Sequence, residues 1–348
     1  MAVFKRVCKT EYKNNKKGST MTQCLITGAT GFVGRYLVES LLSNGYSLNL
    51  LVRDASSPEL LSLIDLWEKK FSVGLVTLTP FDLEKEDLGL PFSISFNHYD
   101  HVYHLAAIYD LNCDQKKLME ANVKGTERLI NKLINDDFKG IFHFISSIAI
   151  AGNYKGVFDE SMFDEGQEHS HAYHLSKFQS EKVVREFKDK YKASVRIYRP
   201  SAIVGDSTTG DIDKINGPYY LCLLVSPLKN WIPKKIPLIL PKTSVSIDTV
   251  PIDYVVDSLV YLSLLPSEEL SNDQYCFHLS DPTTPSLSEM FSLILKAAEG
   301  PSVGFSFPVD RLTKFVGVKQ FKMARNLQAL KRINDQVLKA LDLPDSIF

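Results

Sequence analysis

The sequence predicts an α/β protein built on a doubly wound parallel sheet, with a smaller C-terminal lobe. Two patterns carry this prediction. Apolar, strand-like runs alternate along the chain with amphipathic, helix-like runs, which is the order of a parallel sheet with helices on both faces. A glycine-rich turn joins the first strand to the first helix. Because ligands of such folds collect at the carboxyl ends of the strands, we expect the functional residues there.

The first strand is the apolar run at residues 24–26, and the later elements follow the same alternation. Further strands are predicted at residues 47–52, 74–78, 101–105, 141–145 and 194–198. Helices are predicted between them at residues 33–42, 57–69, 115–134 and 173–191.

The stretch TGATGFVG, residues 27–34, turns the chain from the first strand into the first helix. A tight turn, room for a ligand and close packing of the helix on the sheet require residues without side chains, here Gly28, Gly31 and Gly34. The helix N-terminus beyond them favours a pyrophosphate. The spacing differs from the GxGxxG of typical dehydrogenases, and a glycine triplet alone also occurs in ordinary loops before helices. The residues expected to hold a dinucleotide here are Gly28, Thr30, Gly31, Phe32, Val33 and Gly34.

Composition narrows the class of protein. The chain has 348 residues, 44% of them hydrophobic, which is enough for a full core in one large domain or two closely packed ones. A net charge of −1 provides no basic surface for nucleic acid. No apolar run approaches the length of a membrane span. The five cysteines are scattered without metal-site spacing, so we expect reduced thiols, a cytoplasmic protein and no bound metal.

The first 20 residues differ from the rest because they carry six Lys and Arg side chains against one acid, Glu11. They contain no apolar signal-peptide core, so we expect a disordered basic extension. A targeting leader and a start at Met21 are the alternatives.

Arg53 follows the second predicted strand, at the place where this fold commonly has an acid for the ribose hydroxyls. An arginine instead suits a 2′-phosphate, so the sequence predicts NADP(H), with NAD(H) as the alternative. Arg35, on the first helical turn after the glycines, is expected to add a second phosphate contact. An exposed arginine beside Asp54 is the structural alternative for Arg53.

The next two strand ends also fit a dinucleotide. Asp82 and Leu83 follow the third strand, where a carboxylate and an apolar side chain suit an adenine, although the same residues also fit a turn. Leu105, Ala106 and Ala107 end the fourth strand, where small side chains let a cofactor pass close to the backbone.

The predicted chemistry lies at the fifth strand and the helix after it. Ser147 ends that strand, and Tyr173 begins the helical pattern with Lys177 four residues later on the same face. A lysine ammonium near a phenol is expected to lower the pKa of the phenol. Tyr173 then donates a proton to a carbonyl oxygen that Ser147 hydrogen-bonds, with Ser146 as the alternative serine. A YxxxK pair alone also occurs on surface helices, so the prediction depends on its order with the earlier motifs.

These motifs, taken in order, resemble the extended short-chain dehydrogenase/reductase family over residues 21–279. The resemblance implies a Rossmann fold and catalytic roles for Ser147, Tyr173 and Lys177, with Lys177 also bonding the nicotinamide ribose. Ser147 rather than Ser146 matches the pattern SSxxxxG, because it precedes Gly152 by five residues.

The same resemblance adds residues that the local patterns do not identify. Asn122 is similar to the asparagine motif of the family's fourth helix, which implies a place in the catalytic set and a partly structural role. Pro200, Ser201 and Ile203 lie in a segment similar to the one that closes over the nicotinamide, which implies cofactor contacts.

Residues 158–167, 205–220 and 250–256 resemble the fatty acyl-CoA reductase and thioester reductase group. This likeness implies hydride transfer between NADP(H) and an aldehyde, ketone or acyl thioester. Related members with the same core are NAD-dependent sugar-nucleotide epimerases or dehydratases and hydroxysteroid dehydrogenases, and a non-catalytic dinucleotide-sensing regulator is a further alternative. The apolar, aromatic residues 219–231 suit a lipid-like substrate, or simply core packing.

The expected division of the chain follows from these motifs. The NADP-binding domain spans residues 21–200 and takes back residues 246–280, while residues 201–245 and 281–348 form the substrate lobe. The family commonly dimerises through its fourth and fifth helices, which makes a homodimer an expectation. The histidines in strand patterns, His101, His104 and His143, are expected to be hydrogen-bonded core residues, and His169 and His171 make a poor metal site.

Overall fold

The structure is a computed structural model with side chains. It describes residues 21–71, 75–109, 113–212, 219, 222, 241–242, 246–266, 269–270, 274–281, 283–303 and 307–308. The predicted basic extension, most of the aromatic segment at 219–231 and most of the chain beyond residue 303 lie outside the described residues. The predicted division into a cofactor domain and a substrate lobe therefore stays a prediction.

The described residues form eleven strands and seven α-helices. The strands are β1 (Gln23–Thr27), β2 (Ser47–Val52), β3 (Val76–Pro80), β4 (His101–His104), β5 (Ile141–Ile145), β6 (Val195–Pro200), β7 (Ala202–Val204), β8 (Pro241–Lys242), β9 (Thr249–Pro251), β10 (Cys276–Leu279) and β11 (Phe307–Pro308). The helices are α1 (Phe32–Ser43), α2 (Pro58–Phe71), α3 (Gln115–Leu118), α4 (Gly125–Asn135), α5 (Ala172–Tyr191), α6 (Ile252–Leu264) and α7 (Leu287–Ala297).

Seven strands form one parallel sheet in the order β3-β2-β1-β4-β5-β6-β10. The order reverses between β1 and β4, so the chain leaves these two neighbours toward opposite faces. Their carboxyl ends open a crevice at this switch point, which is where ligands bind in open α/β sheets. The predicted doubly wound parallel sheet is confirmed.

Both faces of the sheet are buried, which explains why its central strands are continuous apolar runs. In β1, Cys24 and Ile26 belong to the core cluster under α1 and α6, whereas Leu25 belongs to the cluster under α4 and α5. This alternation follows from the period-two geometry of a strand. Helices α1 and α6 contribute Leu37, Val38, Leu41, Val255, Val256 and Leu259 to the first cluster.

Several predicted elements differ from the observed ones by one or two residues at their ends, including the sixth strand, predicted at 194–198 and observed at Val195–Pro200. Two differences have a clear physical cause. The third strand, predicted at residues 74–78, runs from Val76 to Pro80, because its register is set by pairing with β2, in which Leu48 opposes Val76 and Val52 opposes Pro80. The helix predicted over 115–134 is interrupted by a π-helical turn, Met119–Lys124, between α3 and α4. The carbonyl of Asn122 in that turn accepts the hydroxyls of Thr126 (2.6 Å) and Ser180 (2.9 Å).

The strand histidines are core residues with hydrogen-bond partners. His101 Nδ1 lies 3.0 Å from His143 Nε2, and His143 Nδ1 lies 3.0 Å from the Tyr198 hydroxyl. Burial lowers the pKa of His101 to about 4 and holds that of His143 well below its ordinary value. Within the described residues, no helix is both long and apolar enough to cross a membrane.

Candidate active site

The glycine turn is built by backbone contacts. Gly28 has φ of +73°, and a Cβ added to it would lie 2.6 Å from the amide nitrogen of Ala106. A Cβ on Gly34 would collide with the Gly28 carbonyl oxygen and with the backbone of Ala29. Gly31 differs, because its Cβ would meet only the Gly28 oxygen, at 3.3 Å. Two glycines therefore allow close packing, and the third leaves open space at the surface of the turn.

That space faces the N-terminus of α1. Gly31 is the N-cap residue, no side chain caps the helix, and its first turn contains no acid. Uncapped amides and the positive end of the helix dipole favour an anion at this point. The uncapped helix and the bare Gly31 surface fit the pyrophosphate of a dinucleotide.

The strand beside the glycine turn is held against it by a buried polar chain. Thr27 Oγ1 accepts the amide of Ala106 at 3.1 Å and lies 2.8 Å from His104 Nδ1. His104 Nε2 lies 3.0 Å from the hydroxyl of Thr126 on α4. Burial lowers the pKa of His104 to about 3, so its imidazole is neutral at pH 7. The segment Leu105–Ala107 thus passes directly beside Gly28.

The residues predicted to lie beside the adenine follow β2 and β3. Arg53 is exposed directly after β2, while the carboxylate of Asp54 is bonded to the amide (2.9 Å) and hydroxyl (2.6 Å) of Ser56. Asp82 accepts the amide of Glu84 at 3.0 Å, so it stabilises a turn. Leu83 packs against α4, where a Cβ on Gly125 would lie 2.8 Å from Leu83 Cβ.

The two serines at the end of β5 have different environments. Ser146 is buried, and its hydroxyl donates to Glu181 Oε2 at 2.5 Å. Ser147 is half-buried, and its Oγ accepts the amide of Ala149 at 3.2 Å at the start of a 3₁₀ turn, Ile148–Ala151. Because a serine hydroxyl retains its proton while accepting, Ser147 can still donate to a carbonyl oxygen.

Tyr173 lies in the first turn of α5, whose N-cap is His171, with Nδ1 3.2 Å from the Tyr173 amide. Its ring packs edge-on against Tyr109, with ring centroids 4.8 Å apart at 90°. Burial, and secondarily the Tyr109 phenol, raise the pKa of Tyr173 above its ordinary value. The predicted lowering of this pKa by Lys177 is therefore wrong for the described structure, since burial disfavours the phenolate.

Lys177 is buried, and its side chain reaches the end of β5. Its Nζ donates to the carbonyl oxygen of Ile145 at 2.5 Å and lies 4.7 Å from the centroid of the Phe144 ring. Burial lowers the pKa of Lys177 to about 8, against the opposing effect of Glu181. Lys177 and Tyr173 lie on the same face of α5. The position of the Lys177 ammonium is fixed by its hydrogen bond to the Ile145 carbonyl.

Asn122 joins the segment after β4 to α5, which carries the predicted catalytic residues Tyr173 and Lys177 and is called the catalytic helix below. Its Oδ1 accepts the amide of Ile108 at 2.7 Å, and its Nδ2 donates to the carbonyl of Ile108 (3.1 Å) and to Ser176 Oγ (3.0 Å). All polar atoms of this buried amide thus face protein groups. The geometry assigns Asn122 to positioning of these two segments.

The segment after β6 is fixed between two elements. Pro200 and Ser201 are buried, the Ser201 amide donates to the Leu279 carbonyl of β10 at 3.1 Å, and Ile203 lies in β7. Next to it, burial raises the pKa of Asp248 to about 6.

Three residues near the site are not identified by the sequence patterns. Tyr109 contacts Tyr173 but follows no local pattern. Glu181 lies one turn beyond Lys177, so continuing the four-residue spacing along α5 would have identified it. Arg199 is fully buried against Glu181, which only the sheet order reveals.

The histidines before α5 contact protein groups. His169 Nε2 lies 2.8 Å from the Ile150 carbonyl. The described residues hold no cluster of three metal-ligating side chains.

The fold and the glycine turn define the class: an NAD(P)-binding Rossmann protein. A family model of NAD-binding proteins, described as "Male sterility protein", matches residues 26–259, which is more than half of the chain. The chain belongs to this family of extended short-chain dehydrogenases/reductases, as its motifs implied.

Curated relatives are reductases and large synthetases. The chain is 30% identical over 207 residues to aldehyde reductase lnbA of Aspergillus flavus, covering 53% of this chain and 20% of the relative. It is 26% identical over 292 residues to one of the proteins that make up the linear gramicidin synthase of Brevibacillus parabrevis, covering 79% of this chain and 5% of the relative. The chain thus spans a small part of the length of these relatives.

A solved structure shares the fold over almost the whole chain. The terminal R domain of the myxalamid PKS-NRPS biosynthetic pathway superposes with a TM-score of 0.66 at 21% identity, covering 98% of this chain and 85% of that one.

Proposed function

We propose that the protein is an NADP(H)-dependent oxidoreductase that transfers hydride between the nicotinamide and the carbonyl carbon of an aldehyde or acyl thioester. The observation that carries the proposal is the arrangement at one sheet edge. A partly exposed serine at the end of β5 and a protonated tyrosine at the start of α5 lie at the same edge as the glycine turn. Residues of the glycine turn would hold the dinucleotide, which would supply or accept the hydride when bound.

The side chains provide the proton chemistry. Because burial raises the pKa of Tyr173, its phenol is protonated at neutral pH and can donate to the oxygen that gains charge during reduction. The Ser147 hydroxyl hydrogen-bonds the same oxygen and stabilises that charge. Lys177, whose Nζ donates to the Ile145 carbonyl at the end of β5, would hydrogen-bond the nicotinamide ribose.

The proposed substrate class is supported by the relatives, and the proposed preference for NADP(H) is supported by Arg53. The curated relative of Aspergillus flavus is called an aldehyde reductase, which supports a reductive reaction on a carbonyl. Arg53 is exposed at the end of β2, and no ion pair joins it to Asp54 in the described part of the chain, so its guanidinium is accessible to a 2′-phosphate.

The experiment compares Tyr173→Phe with Tyr191→Phe, an exposed tyrosine at the end of the same helix. Turnover is followed as NADPH oxidation with a panel of aliphatic and aromatic aldehydes and acyl thioesters. We expect Tyr173→Phe to lower kcat by about 10²–10⁴-fold, the range of general acid catalysis. Calorimetry should show unchanged NADPH affinity in both variants. Normal turnover by Tyr173→Phe would remove the tyrosine from the mechanism, and cofactor that is bound tightly but never consumed would indicate an epimerase.

A further inference from the structure

A cluster of buried charges lies one helical turn behind Lys177. Lys177 and Glu181 are both buried and are four residues apart on α5, so they share a face of the helix. The side chains of Glu181 and Arg199 are both 0% exposed, which is rare for charged residues unless they are paired.

Both carboxylate oxygens of Glu181 are engaged. Oε1 accepts Arg199 Nη2 at 2.6 Å and Arg185 Nε at 2.9 Å. Oε2 accepts Ser146 Oγ at 2.5 Å and Arg199 Nε at 3.2 Å. Burial acts to raise the pKa of Glu181, but the two arginines and Ser146 outweigh it, so the pKa lies below its ordinary value. Glu181 is therefore a carboxylate inside the protein.

The charges around Lys177 are unequal. Glu181 forms ion pairs with two cations, Arg185 and Arg199, and its charge also acts on a third, Lys177, which lies four residues before it on the same helix. Two acidic side chains, Asp159 and Glu160, lie near His278 and Cys276 at the edge of the cluster. Five other titratable groups that face the cluster are uncharged at neutral pH. They are Tyr173 on α5, His104 on β4, and Tyr275, Cys276 and His278 beside or within β10.

We propose that Glu181 is a positioning residue that acts as the counterion of Lys177 and, through Ser146, fixes the end of β5 to the catalytic helix. This inference rests on the proposed function for its effect on turnover. The contacts form one rigid unit: Lys177 holds the Ile145 carbonyl, and Glu181 holds the next side chain, Ser146. Ser147 is the next residue, so these contacts hold it at a fixed position relative to the N-terminal part of α5.

The charge of Glu181 also affects the protonation of Lys177, independently of the hydrogen bond to Ser146. Burial alone favours a neutral lysine, and a nearby carboxylate opposes that effect. If Glu181 loses its charge, its opposing effect on the pKa of Lys177 is removed. We expect Lys177 to release its proton at lower pH, so that the alkaline limb of turnover moves toward neutral pH.

The test compares three variants. Glu181→Gln removes the charge but keeps the shape and an oxygen for Arg199. Ser146→Ala removes the hydrogen bond to the end of β5 without changing the charge. Glu186→Gln makes the same chemical change at an exposed position of the same helix. Heteronuclear NMR of ¹⁵N-lysine-labelled protein follows the Lys177 ammonium, whose signal is assigned by its loss in Lys177→Arg.

We expect the Lys177 midpoint to fall by about 1 pH unit in Glu181→Gln, the lower end of the effect of a close opposite charge. Ser146→Ala and Glu186→Gln should leave it unchanged, and the alkaline limb of kcat should follow the NMR midpoint. If Glu181→Gln does not fold, Glu181→Asp, which draws the charge back by one methylene, gives the same test with a smaller fall. An unchanged midpoint in a folded variant, or an equal fall in Ser146→Ala, overturns the proposal.

The NMR titration needs no substrate, which separates the two proposals. A lowered Lys177 midpoint in a protein that reduces no carbonyl leaves the counterion role intact and removes the proposed reaction. Turnover with an unchanged Lys177 midpoint supports the proposed reaction and overturns the counterion role of Glu181.

Discussion

The two halves of the candidate site are held together by different physical means. In the glycine turn, residues 27–34, the geometry is fixed by backbone atoms packed so closely that a single Cβ at Gly28 or Gly34 collides with them. At the catalytic helix, residues 172–181, the geometry is fixed by side-chain hydrogen bonds to other segments, from Lys177, Ser176 and Glu181. The glycine turn depends on the absence of side chains at Gly28 and Gly34. The catalytic helix depends on hydrogen bonds between its polar side chains and other segments.

This difference predicts different responses to substitution. Closely packed backbone atoms cannot move apart to accept an added side chain. Substitutions in the glycine turn are therefore expected to lower the stability of the fold or to fill the space that the ligand needs. A buried polar network fails through unpaired groups and altered charge, so changes at the catalytic helix act on proton transfer and pH dependence.

The largest effect is expected within the glycine turn itself, from Gly34→Ala against Gly31→Ala. The Gly34 Cβ would collide with the backbone of Gly28 and Ala29, and we expect a loss of about 4 kcal/mol or more in the free energy of unfolding. The Gly31 Cβ needs only a small shift from the Gly28 oxygen at 3.3 Å. Gly31→Ala should therefore fold with nearly normal stability but bind NADPH at least about tenfold more weakly.

Urea denaturation and calorimetry with NADPH measure the two quantities on the same samples. Equal stability of the two variants would contradict the packing argument for Gly34. Normal NADPH affinity in Gly31→Ala would show that the dinucleotide does not pass over this residue.

The same contrast explains which features can be predicted from the sequence. Strands β2 and β5 begin and end where the apolar runs do, because both are buried between two faces and end at turns. The glycine turn is predictable because its contacts are local and sterically strict. The edge strand β3 lies two residues beyond its predicted position, since its limits depend on pairing with β2 rather than on its own pattern.

The catalytic half is only partly predictable. Tyr173 and Lys177 belong to one helical pattern, but Tyr109 contacts Tyr173 from a distant part of the sequence. The Glu181–Arg199 pair requires α5 to lie beside β6, which the residue pattern alone does not specify. The predicted direction of the Tyr173 pKa shift is wrong, because the depth of burial is a property of the assembled site.

A smaller effect is expected at His104, which contacts Thr27 of the glycine turn on one side and Thr126 of α4 on the other. Burial lowers its pKa to about 3 and that of His101 to about 4, from the ordinary 6.5. Between these values the unfolded chain binds more protons, so stability is complete above about pH 6.5 and falls as the pH drops. Each histidine should account for about 2 kcal/mol of the loss between pH 7 and 5.

Urea titrations at pH 7, 6 and 5 measure this slope in the wild type, in His104→Asn and in His98→Gln, which changes an exposed histidine. His104→Asn should be less stable at pH 7 but lose less on acidification, because one of the depressed groups is gone. His98→Gln should keep the wild-type slope. A slope that is the same in all three proteins would mean that His104 is not neutral in the folded state.

The smallest effect is expected at the adenine side of the glycine half, where contact with the cofactor is made at the protein surface. Arg53→Ala should weaken NADPH binding by about tenfold, or about 1.4 kcal/mol, because an exposed ion pair with the 2′-phosphate contributes little more than that. NADH, which lacks this phosphate, serves as the internal control and should bind with unchanged affinity. Calorimetry of both dinucleotides with both proteins gives the selectivity ratio directly. Equal losses for the two cofactors would assign Arg53 to the general shape of the site, and a wild-type preference for NADH would replace the 2′-phosphate contact with the NAD-dependent alternative.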